Sequence, residues 1–321
     1  MSKKKLQAYN QIVDISNWPI DDVYSGMYPK GAREKIACFC PKEGYEFLIL
    51  NRDSKYRHRY LYKLSRSAYP SQFWAEIVAY RFGCLIGVKV PPAFVAINDK
   101  DHNCGALIEF FFKDYPYGDE QYYVDGGMFM KKLIPDYDLK KGTQHNFETV
   151  ERLRVLCDNW YEEWAKIFTF DALIGNTDRH QDNWGLIGKL RDATHGKFVL
   201  SPAFDNGTSL GHEINEENLY KFNTNKVSDY INRGPNHMKW KMTDEKRPLM
   251  FDFIRMFCLN KPEQRELMLK CISFSIDNVR ELIYELTKFD VKCRLSEKRA
   301  EFMVQLIQAR QAKLREILEN K

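Results

Sequence analysis

Four polar residues in the middle of the 321-residue chain have types and spacings that could do chemistry. Asp178, His180 and Asn183 fall within one short segment, and Asp205 follows the next strand-like stretch. Carboxylate and carboxamide oxygens are ligands of Mg²⁺, and phosphoryl transfer also needs a group that orients the attacking hydroxyl. The set therefore predicts a magnesium–nucleotide site in which Asn183 and Asp205 supply the metal ligands. Asp178 would accept the hydroxyl proton, and His180 would donate to phosphate oxygens.

Each of these residues also has an ordinary structural explanation. Asp178 could cap a helix, and Asp205-Asn206-Gly207 has the composition of a turn. The ordered set is more specific, because turn chemistry does not require a D-x-H-x-x-N pattern followed by a second aspartate after a strand. The functional interpretation therefore depends on the combination and not on any one residue.

The sequence around this set resembles a known family. The phrase F-D-A-L-I-G-N-T-D-R-H-Q-D-N-W-G at residues 170–185 and the phrase S-P-A-F-D-N-G-T-S-L-G after it are similar to the HipA-like serine/threonine kinases, above all to compact bacterial members. The resemblance implies a kinase that transfers the γ-phosphate of ATP to a protein hydroxyl with Mg²⁺ as cofactor. It also implies an α+β, two-lobed protein-kinase-like fold. Residues 1–114 would form a small antiparallel β-rich lobe with one helix, and residues 115–321 a larger, mainly helical lobe.

The same resemblance implies a nucleotide-binding lysine and its acidic partner. Lys63, in the strand-like segment 60–64, stands in the position of the family's ATP-binding lysine. Glu76, on a helix predicted at 71–85, would hold Lys63 toward the phosphates. The alternative is a strand lysine beside a solvated helix glutamate.

Further nucleotide contacts are implied at the phosphate and adenine ends of the site. Gly31 and Lys35, in the phrase G-A-R-E-K, resemble the family's phosphate-covering loop. Backbone groups of Glu109 and Phe111, at the end of a strand-like segment, would bind the adenine edge. The alternative for this segment is that its three consecutive phenylalanines, 110 to 112, only fill the core.

The elements that must position these residues follow from hydrophobic periodicity. The first third of the chain shows short strand-like runs, at residues 12–15, 35–39, 47–50, 60–64, 92–97 and 106–112, with one helix at 71–85. The period then becomes helical, and we expect one long helix over 150–168 and further helices at 265–289 and 297–319. A β-rich part followed by a helical part predicts a cleft between the two.

The composition indicates a globular protein. Hydrophobic residues make up 44% and charged residues 29% of the chain, which suits a packed core and not a disordered segment. No run reaches the roughly 18 apolar residues of a membrane-spanning helix, and the basic N-terminal segment lacks the apolar stretch of a signal peptide. We therefore expect a cytoplasmic protein without a membrane partner. Eight cysteines without a C-x-x-C pair give no sign of a zinc or redox site.

The charge balance alone identifies no partner. Lysine and arginine total 49 against 44 acidic residues, for a net charge of +5. The densest basic cluster comprises Arg52, Lys55, Arg57, His58, Arg59, Lys63 and Arg66. It could bind nucleic acid, but a solvated edge between two strands explains it as well. We expect no direct nucleic-acid partner.

Three functions are compatible with the sequence. The first is a protein kinase, and since HipA-like kinases are commonly toxins of toxin–antitoxin modules, an antitoxin partner is implied as well. The second is a lipid kinase, because D-R-H-x-x-N is shared with phosphoinositide kinases; the lack of a polybasic segment near the motifs disfavours it. The third is a nucleotide-binding pseudokinase scaffold, which would have no use for Asp178.

Two parts of the chain depart from the family or have no assigned role. Longer HipA proteins carry a regulatory phosphorylated serine before the loop glycine, and Tyr28 stands at that place here. Ser25 is the candidate substitute. Residues 117–141 are rich in Tyr, Gly and Asp, and their sequence suggests no mechanism.

Overall fold

Five strands from the first third of the chain form one sheet. The computed structural model describes residues 6–22, 24, 33–48, 58–112, 121–189 and 197–320. The strands in these ranges are β1 Val13–Asp14, β2 Lys35–Phe39, β3 Arg59–Lys63, β4 Ala93–Asn98 and β5 Asn103–Glu109, in the order β1-β4-β5-β3-β2. Each corresponds to a predicted run. Of the run predicted at 47–50, residues 47 and 48 lie in a turn and the rest falls outside the described residues.

The sequence predicted an antiparallel sheet, but one pair of strands in the structure is parallel. Neighbouring strands β2, β3, β5 and β4 pair antiparallel, but β1 runs parallel to β4, with Val13 opposite Ala96. A parallel pair needs a long crossover connection. The chain between β1 and β4 provides one, since its described residues include β2, β3 and a long helix. Local periodicity predicts strands and carries no information about their relative direction.

One long helix, α1 Gln72–Ile86, packs against β4 and β5 of this sheet. It ends at Gly87, whose φ of 74° lies in the left-handed region that favours glycine. Residues 72 to 83 are all buried, so the helix carries Glu76 into the interior. A buried glutamate needs charged or hydrogen-bonding partners, so other polar groups must lie around Glu76.

A second, antiparallel sheet has three strands within the described residues, β6 Gln121–Asp125, β7 Gly185–Lys189 and β8 Val199–Leu200. The helix α2 Gly126–Leu133 follows β6 directly, and the Asp125 side chain caps it by accepting from the amide of Met128. Gly126 allows the close approach, because a Cβ there would lie 2.2 Å from the Trp184 ring. The described part of residues 117–141 thus provides β6 and α2.

Helices make up much of the rest of the described chain. They are α3 Phe147–Val150, α4 Trp160–Ile174, α5 Thr224–Asn232, α6 Met250–Asn260, α7 Arg265–Cys271, α8 Ile276–Tyr284 and α9 Glu297–Glu319. The bounds of α9 confirm the prediction, and Ser296 caps it by accepting from the amide of Arg299. This helix packs against α4, α5 and α8, so its apolar stripe lies in the core.

The helix expected over 150–168 is broken. A 3₁₀ segment, Glu151–Leu156, precedes α4, and Asn159 has a φ of 56° in the left-handed region. Cys157 forms a β-bridge with Phe198 beside β8, and this pairing draws the chain out of the helix. Hydrophobic spacing continues across the break, which is why periodicity alone did not reveal it.

The helix expected over 265–289 is also divided, into α7, α8 and a 3₁₀ turn, Glu285–Lys288. Ser275 starts α8 afresh, because its side chain accepts from the amide of Asp277. A single capping residue inside a periodic stretch therefore sets the boundary.

Two expectations about the organisation of the chain have different outcomes. The boundary expected between residues 114 and 115 falls within 113–120, outside the described residues, and stays a prediction. Along the ranges that the structure describes, no helix combines the length and the apolar character needed to cross a bilayer.

Candidate active site

A cavity of about 370 Å³ lies between the first sheet and the segments that flank β7 and β8. Its apolar lining includes Leu61, Pro91, Ile108, Phe110, Phe111 and Phe204. Its polar lining includes Lys35, Lys63, His180, Asp182, Asn183 and Asp205. A largely apolar cavity of this size with a few convergent polar groups is typical of a small-molecule site. Most of the predicted site residues therefore meet here.

Lys63, Glu76 and Asp205 form the charged centre of the site. The Nζ of Lys63, at the end of β3, lies 2.8 Å from Oδ1 of Asp205 and 3.4 Å from Oε1 of Glu76. The second oxygen of Glu76 accepts from the amide of Asn206 over 2.9 Å. Burial alone would raise the pKa of Glu76, but the positive charges of Lys63 and Arg33 hold that pKa below its ordinary value. Glu76 is thus an ionised partner inside the protein, and the solvated alternative is wrong.

Arg33, which the sequence did not single out, binds the same two carboxylates. Its Nη2 lies 2.5 Å from Oε1 of Glu76 and 2.8 Å from Oδ1 of Asp205. Although burial alone would lower it, these carboxylates raise the pKa of Arg33. Two cations therefore share two carboxylates. In the sequence, Arg33 stands at the position of G-A-R-E-K that the family resemblance leaves unspecified. Its charge was visible there, but its partners are distant in the chain and could not be inferred.

Asp205 has an uncommon backbone conformation. Its φ of 55° lies in the left-handed region, which few non-glycine residues adopt. Its side chain is 35% exposed at the cavity. Although desolvation alone would raise it, Lys63 and Arg33 hold the pKa of Asp205 well below its ordinary value. Strained backbone and perturbed carboxylates are both found preferentially at functional sites.

The D-R-H-x-x-N segment follows α4 and places three polar side chains beside this centre. The Nδ2 of Asn183 donates to the backbone carbonyl of Asp178 over 2.8 Å, so the amide oxygen of Asn183 remains its acceptor group. The Nδ1 of His180 accepts from the amide of Asp182 over 3.2 Å, so Nε2 is the ring nitrogen that can donate to a ligand. Burial and the charge of Asp205 raise the pKa of Asp178. Asp178 lies beside the cavity and not in its lining.

Arg179, a buried residue that the sequence presented only as part of a phrase, joins the two motifs. Its Nε and Nη2 bind both carboxylate oxygens of Asp171 on α4, over 3.0 and 2.7 Å. Its Nη1 donates to the carbonyls of Asn183 and Phe204, and Nη2 also donates to Oδ1 of Asn206 over 2.9 Å. Arg179 therefore fixes the spacing between the two candidate metal ligands.

At the other end of the site, the carbonyl of Glu109 lacks a reciprocal donor on the described strand beside it. Ala93 of β4 lies opposite Ile108 of β5, which puts Pro92 opposite Glu109. The amide of Glu109 donates to the carbonyl of Pro92 over 2.8 Å, but proline has no N–H to return. Glu109 and Pro91 both line the cavity, so this backbone acceptor lies where a planar base could use it.

Phe111 belongs to the cavity wall. It stacks on Phe204, with ring centroids 4.9 Å apart and an interplanar angle of 28°, and both rings line the cavity. Phe110, Phe111 and Phe112 are all partly exposed, so the idea that they only fill the core is wrong. A flat aromatic face of this kind can stack against a planar ligand.

The predicted phosphate loop is described only in part. Lys35, the first residue of β2, lines the cavity, and burial together with the charge of Lys63 lowers the pKa of Lys35. Gly31, Tyr28 and Ser25 lie outside the described residues, and their predicted roles stay predictions.

The oxygen donors of Asn183 and Asp205 fit Mg²⁺. A carboxylate that is ionised and a carboxamide oxygen line the same cavity, and Mg²⁺ commonly takes one or two protein ligands together with substrate phosphates. The described residues contain no group of three or more His, Cys, Asp or Glu that could hold a metal by themselves. The donor set therefore suits an ion that binds together with a phosphate.

The basic cluster around residue 59 is directed partly into the protein. Arg59 forms a buried ion pair with Asp21 over 2.7 Å, and Lys63 belongs to the site above. Arg66 is exposed. Residues 52, 55 and 57 fall outside the described ranges. Two of the four described members are thus committed to internal ion pairs, which weakens the nucleic-acid interpretation.

Comparisons with known proteins bear on the fold and the family. The family profile described as HipA-like C-terminal domain matches residues 27–247. The crystal structure of the proinflammatory kinase CtkA from Helicobacter pylori matches with a TM-score of 0.71 and 18% identity over 96% of both chains, which shows a shared kinase-like fold. HipA from Shewanella oneidensis, solved with HipB and operator DNA, matches with a TM-score of 0.49 and 12% identity, over 81% of this chain and 58% of that chain. No curated protein matches the sequence.

Proposed function

Because the chain belongs to the family of HipA-like C-terminal domains, we propose that it is an ATP-dependent, Mg²⁺-requiring kinase that phosphorylates a serine or threonine hydroxyl of a protein. One observation carries this proposal: Lys63, Glu76 and Asp205 meet at the wall of a cavity. These residues come from β3, α1 and the loop after β8, which are far apart in sequence. Their convergence with the D-R-H-x-x-N segment matches the parts that phosphoryl transfer needs.

ATP would bind with its base at the aromatic end of the cavity. The carbonyl of Glu109, opposite Pro92, would accept from the adenine amino group, and the Phe111 ring would form the neighbouring wall. Lys63 and Lys35 would bind the phosphates, since both line the polar part of the same cavity. Glu76 holds Lys63 in this orientation.

The transfer itself would use the segment that follows α4. Asp178 would accept the proton of the substrate hydroxyl. At the same time the hydroxyl oxygen would form a bond to the γ-phosphorus, and the bond between that phosphorus and the leaving ADP oxygen would break. The raised pKa of Asp178 makes it a better proton acceptor than an ordinary aspartate. The Nε2–H of His180 would donate to a phosphate oxygen, since Nδ1 already accepts from Asp182.

Asn183 and Asp205 would hold Mg²⁺ through their oxygens. When bound, the ion supplies positive charge to the β- and γ-phosphate oxygens. Arg179 supports this arrangement because it binds the backbone carbonyl of Asn183 and that of Phe204, the residue before Asp205.

The test is transfer of labelled γ-phosphate from Mg-ATP by the purified chain, alone, with a bacterial lysate and with phosphoinositide vesicles. We expect label on protein, recovered as phosphoserine or phosphothreonine after hydrolysis. Asp178→Asn and Asp205→Asn should abolish it, and Asp178→Asn should keep the affinity for ATP. Asp158→Asn is the matched control, because Asp158 is an exposed residue paired with Lys197 and should label as the unchanged protein does.

Other outcomes would replace this proposal. Label confined to lipid would make the chain a lipid kinase. ATP binding without any transfer that depends on Asp178 would support a pseudokinase scaffold. A chain that neither binds ATP nor transfers phosphate would contradict the nucleotide site altogether.

A role as the toxin of a toxin–antitoxin module is a further part of the proposal, and it follows from the family resemblance alone. Induced expression in a bacterial host tests it. Growth should stop with the unchanged chain and continue with Asp178→Asn at equal protein level. Equal growth in both cultures would remove the toxin role and, with it, the expected antitoxin partner.

A further inference from the structure

Arg33 binds a carboxylate oxygen that would hold the metal ion in the proposed reaction. Nη2 of Arg33 and Nζ of Lys63 each lie 2.8 Å from the same oxygen, Oδ1 of Asp205. The Arg33 side chain is only 9% exposed, so this contact is part of the packed site and not a surface ion pair. The two cations and the two carboxylates, Glu76 and Asp205, together carry no net charge.

A divalent cation and Arg33 would therefore compete for Asp205. An added ion at this carboxylate would stand within a few ångströms of two positive side chains that are each only 9% exposed, so water would screen the repulsion only in part. Lys63 has a defined alternative partner in Glu76, at 3.4 Å. Arg33 also keeps Glu76, at 2.5 Å, so it can leave Asp205 without becoming an unpaired buried charge.

The surroundings of Arg33 are built to receive its guanidinium. A Cβ on Gly207 would lie 2.3 Å from Nη1 of Arg33 and 2.6 Å from Nη2. Glycine at this position of D-N-G therefore leaves the space in which the arginine lies against the turn. Nη1 is buried, and its two N–H groups have no hydrogen-bond partner among the described residues, so the guanidinium has donors that an anionic ligand could satisfy.

We infer that Arg33 exchanges partners during nucleotide binding: it holds Asp205 until a divalent cation takes that carboxylate, and it then binds the triphosphate. This inference rests on the proposed function. It makes Arg33 a substrate-binding residue that also raises the concentration of metal needed to fill the site. The expected signature is a pair of opposite effects, because removal of the Arg33 charge favours a cation at Asp205 and disfavours a polyanion beside it.

The test measures two affinities of the Arg33→Gln variant separately. The affinity for Mn²⁺ is measured without nucleotide, by electron paramagnetic resonance of free Mn²⁺. The affinity for ATP is measured without metal, by calorimetry in EDTA. We expect Mn²⁺ to bind about tenfold more tightly and metal-free ATP about tenfold more weakly than in the unchanged protein. The effect on Mn²⁺ should persist in roughly 0.5 M KCl, because a direct contact is screened less than a distant charge. The added substitution Asp205→Asn should abolish it.

Two further variants distinguish the direct contact of Arg33 from a general effect of charge and from a failure to fold. Arg66→Gln removes an exposed charge from the same part of the chain and should change neither affinity. Gly207→Ala keeps the arginine but places a methyl group where its guanidinium lies, so it should also tighten Mn²⁺ binding, and it serves as the test if Arg33→Gln does not fold.

The outcomes separate this inference from the proposed function. Tighter Mn²⁺ and weaker ATP in Arg33→Gln support the exchange. If the unchanged protein binds ATP and transfers phosphate but Arg33→Gln weakens both affinities or alters neither, Arg33 is a structural residue and the inference is wrong. If the unchanged protein binds neither Mn²⁺ nor ATP, the proposed function fails and the inference with it.

Discussion

Pro92 accepts a hydrogen bond from the amide of Glu109 over 2.8 Å and has no N–H with which to return one. Elsewhere along an antiparallel ladder the two residues of such a pair exchange both bonds. The missing donor leaves the carbonyl of Glu109 without a partner on that strand, and Glu109 lines the cavity that we propose for adenine. In that proposal Pro92 contributes to nucleotide binding because it cannot donate a hydrogen bond to the carbonyl of Glu109, and substitution of Pro92 tests this role.

Pro92→Ala should weaken ATP binding. The new amide can donate to Glu109 and so competes with the adenine amino group for the same carbonyl. A hydrogen bond worth about 0.5–1.5 kcal/mol corresponds to a roughly two- to tenfold higher dissociation constant for ATP, measured by calorimetry. Pro70→Ala, in the exposed turn before α1, is the control for the loss of a proline. Unchanged ATP affinity in Pro92→Ala would mean that the base does not use this carbonyl.

Leu61→Trp should block the nucleotide without disturbing the metal ligands. Leu61 lies two residues before Lys63 on β3 and lines the apolar part of the cavity. A larger side chain there should reduce ATP affinity by at least about tenfold, since such cavities bury most of the ligand surface. Mn²⁺ binding at Asp205 should be retained. Leu61→Met conserves the volume and should bind ATP nearly normally; equal ATP affinity in all three proteins would place the nucleotide elsewhere.

The rate of transfer should depend on the ionisation of Asp178. A base must be unprotonated, so kcat/KM should fall as the pH drops through the pKa of Asp178. Burial and Asp205 raise that pKa, so the fall should occur above the ordinary aspartate value of about 3.9. Because His180 lowers the pKa of Asp178, His180→Asn should move the fall to still higher pH. A pH–rate profile that does not move in this variant would contradict the coupling.

Arg179→Met should destabilise the protein strongly. The substitution leaves the charge of Asp171 buried without its partner, which typically costs about 3–5 kcal/mol of unfolding free energy, measured by urea denaturation. Adding Asp171→Asn removes the stranded charge and should recover part of the loss. For comparison, Arg294→Met breaks an ion pair with Asp290 whose side chains are 65% and 81% exposed, and it should cost no more than about 1 kcal/mol. Equal losses for Arg179 and Arg294 would show that the buried network is not structural.

The parts of the site that follow from sequence order were predictable. Lys63 and Asp205 could each be assigned to the site in advance, Lys63 from the family resemblance and Asp205 from the ordered motif. Their direct contact was not predicted, and the structure shows it. Glu76 followed from the helix that carries it. The same patterns predicted most strands and the bounds of α9.

What could not be predicted depends on contacts between segments. Arg33 stands at a variable position, and its two carboxylate partners lie 43 and 172 positions away. The role of Pro92 depends on the register of β4 against β5, which no local pattern encodes. The parallel direction of β1 and the break at Asn159 likewise result from pairing with distant strands, and hydrophobic spacing does not record such pairing.

The contacts that join Lys63 and Arg33 to Asp205 span 142 and 172 positions of the chain. Contacts of such long range form late, because a large loop must close before they contribute any stabilisation. During synthesis, β2, β3 and α1 leave the ribosome well before the aspartate has been made. The nascent chain therefore carries the lysine and the arginine without their common carboxylate, and it gains a complete reaction centre only when most of its length has emerged.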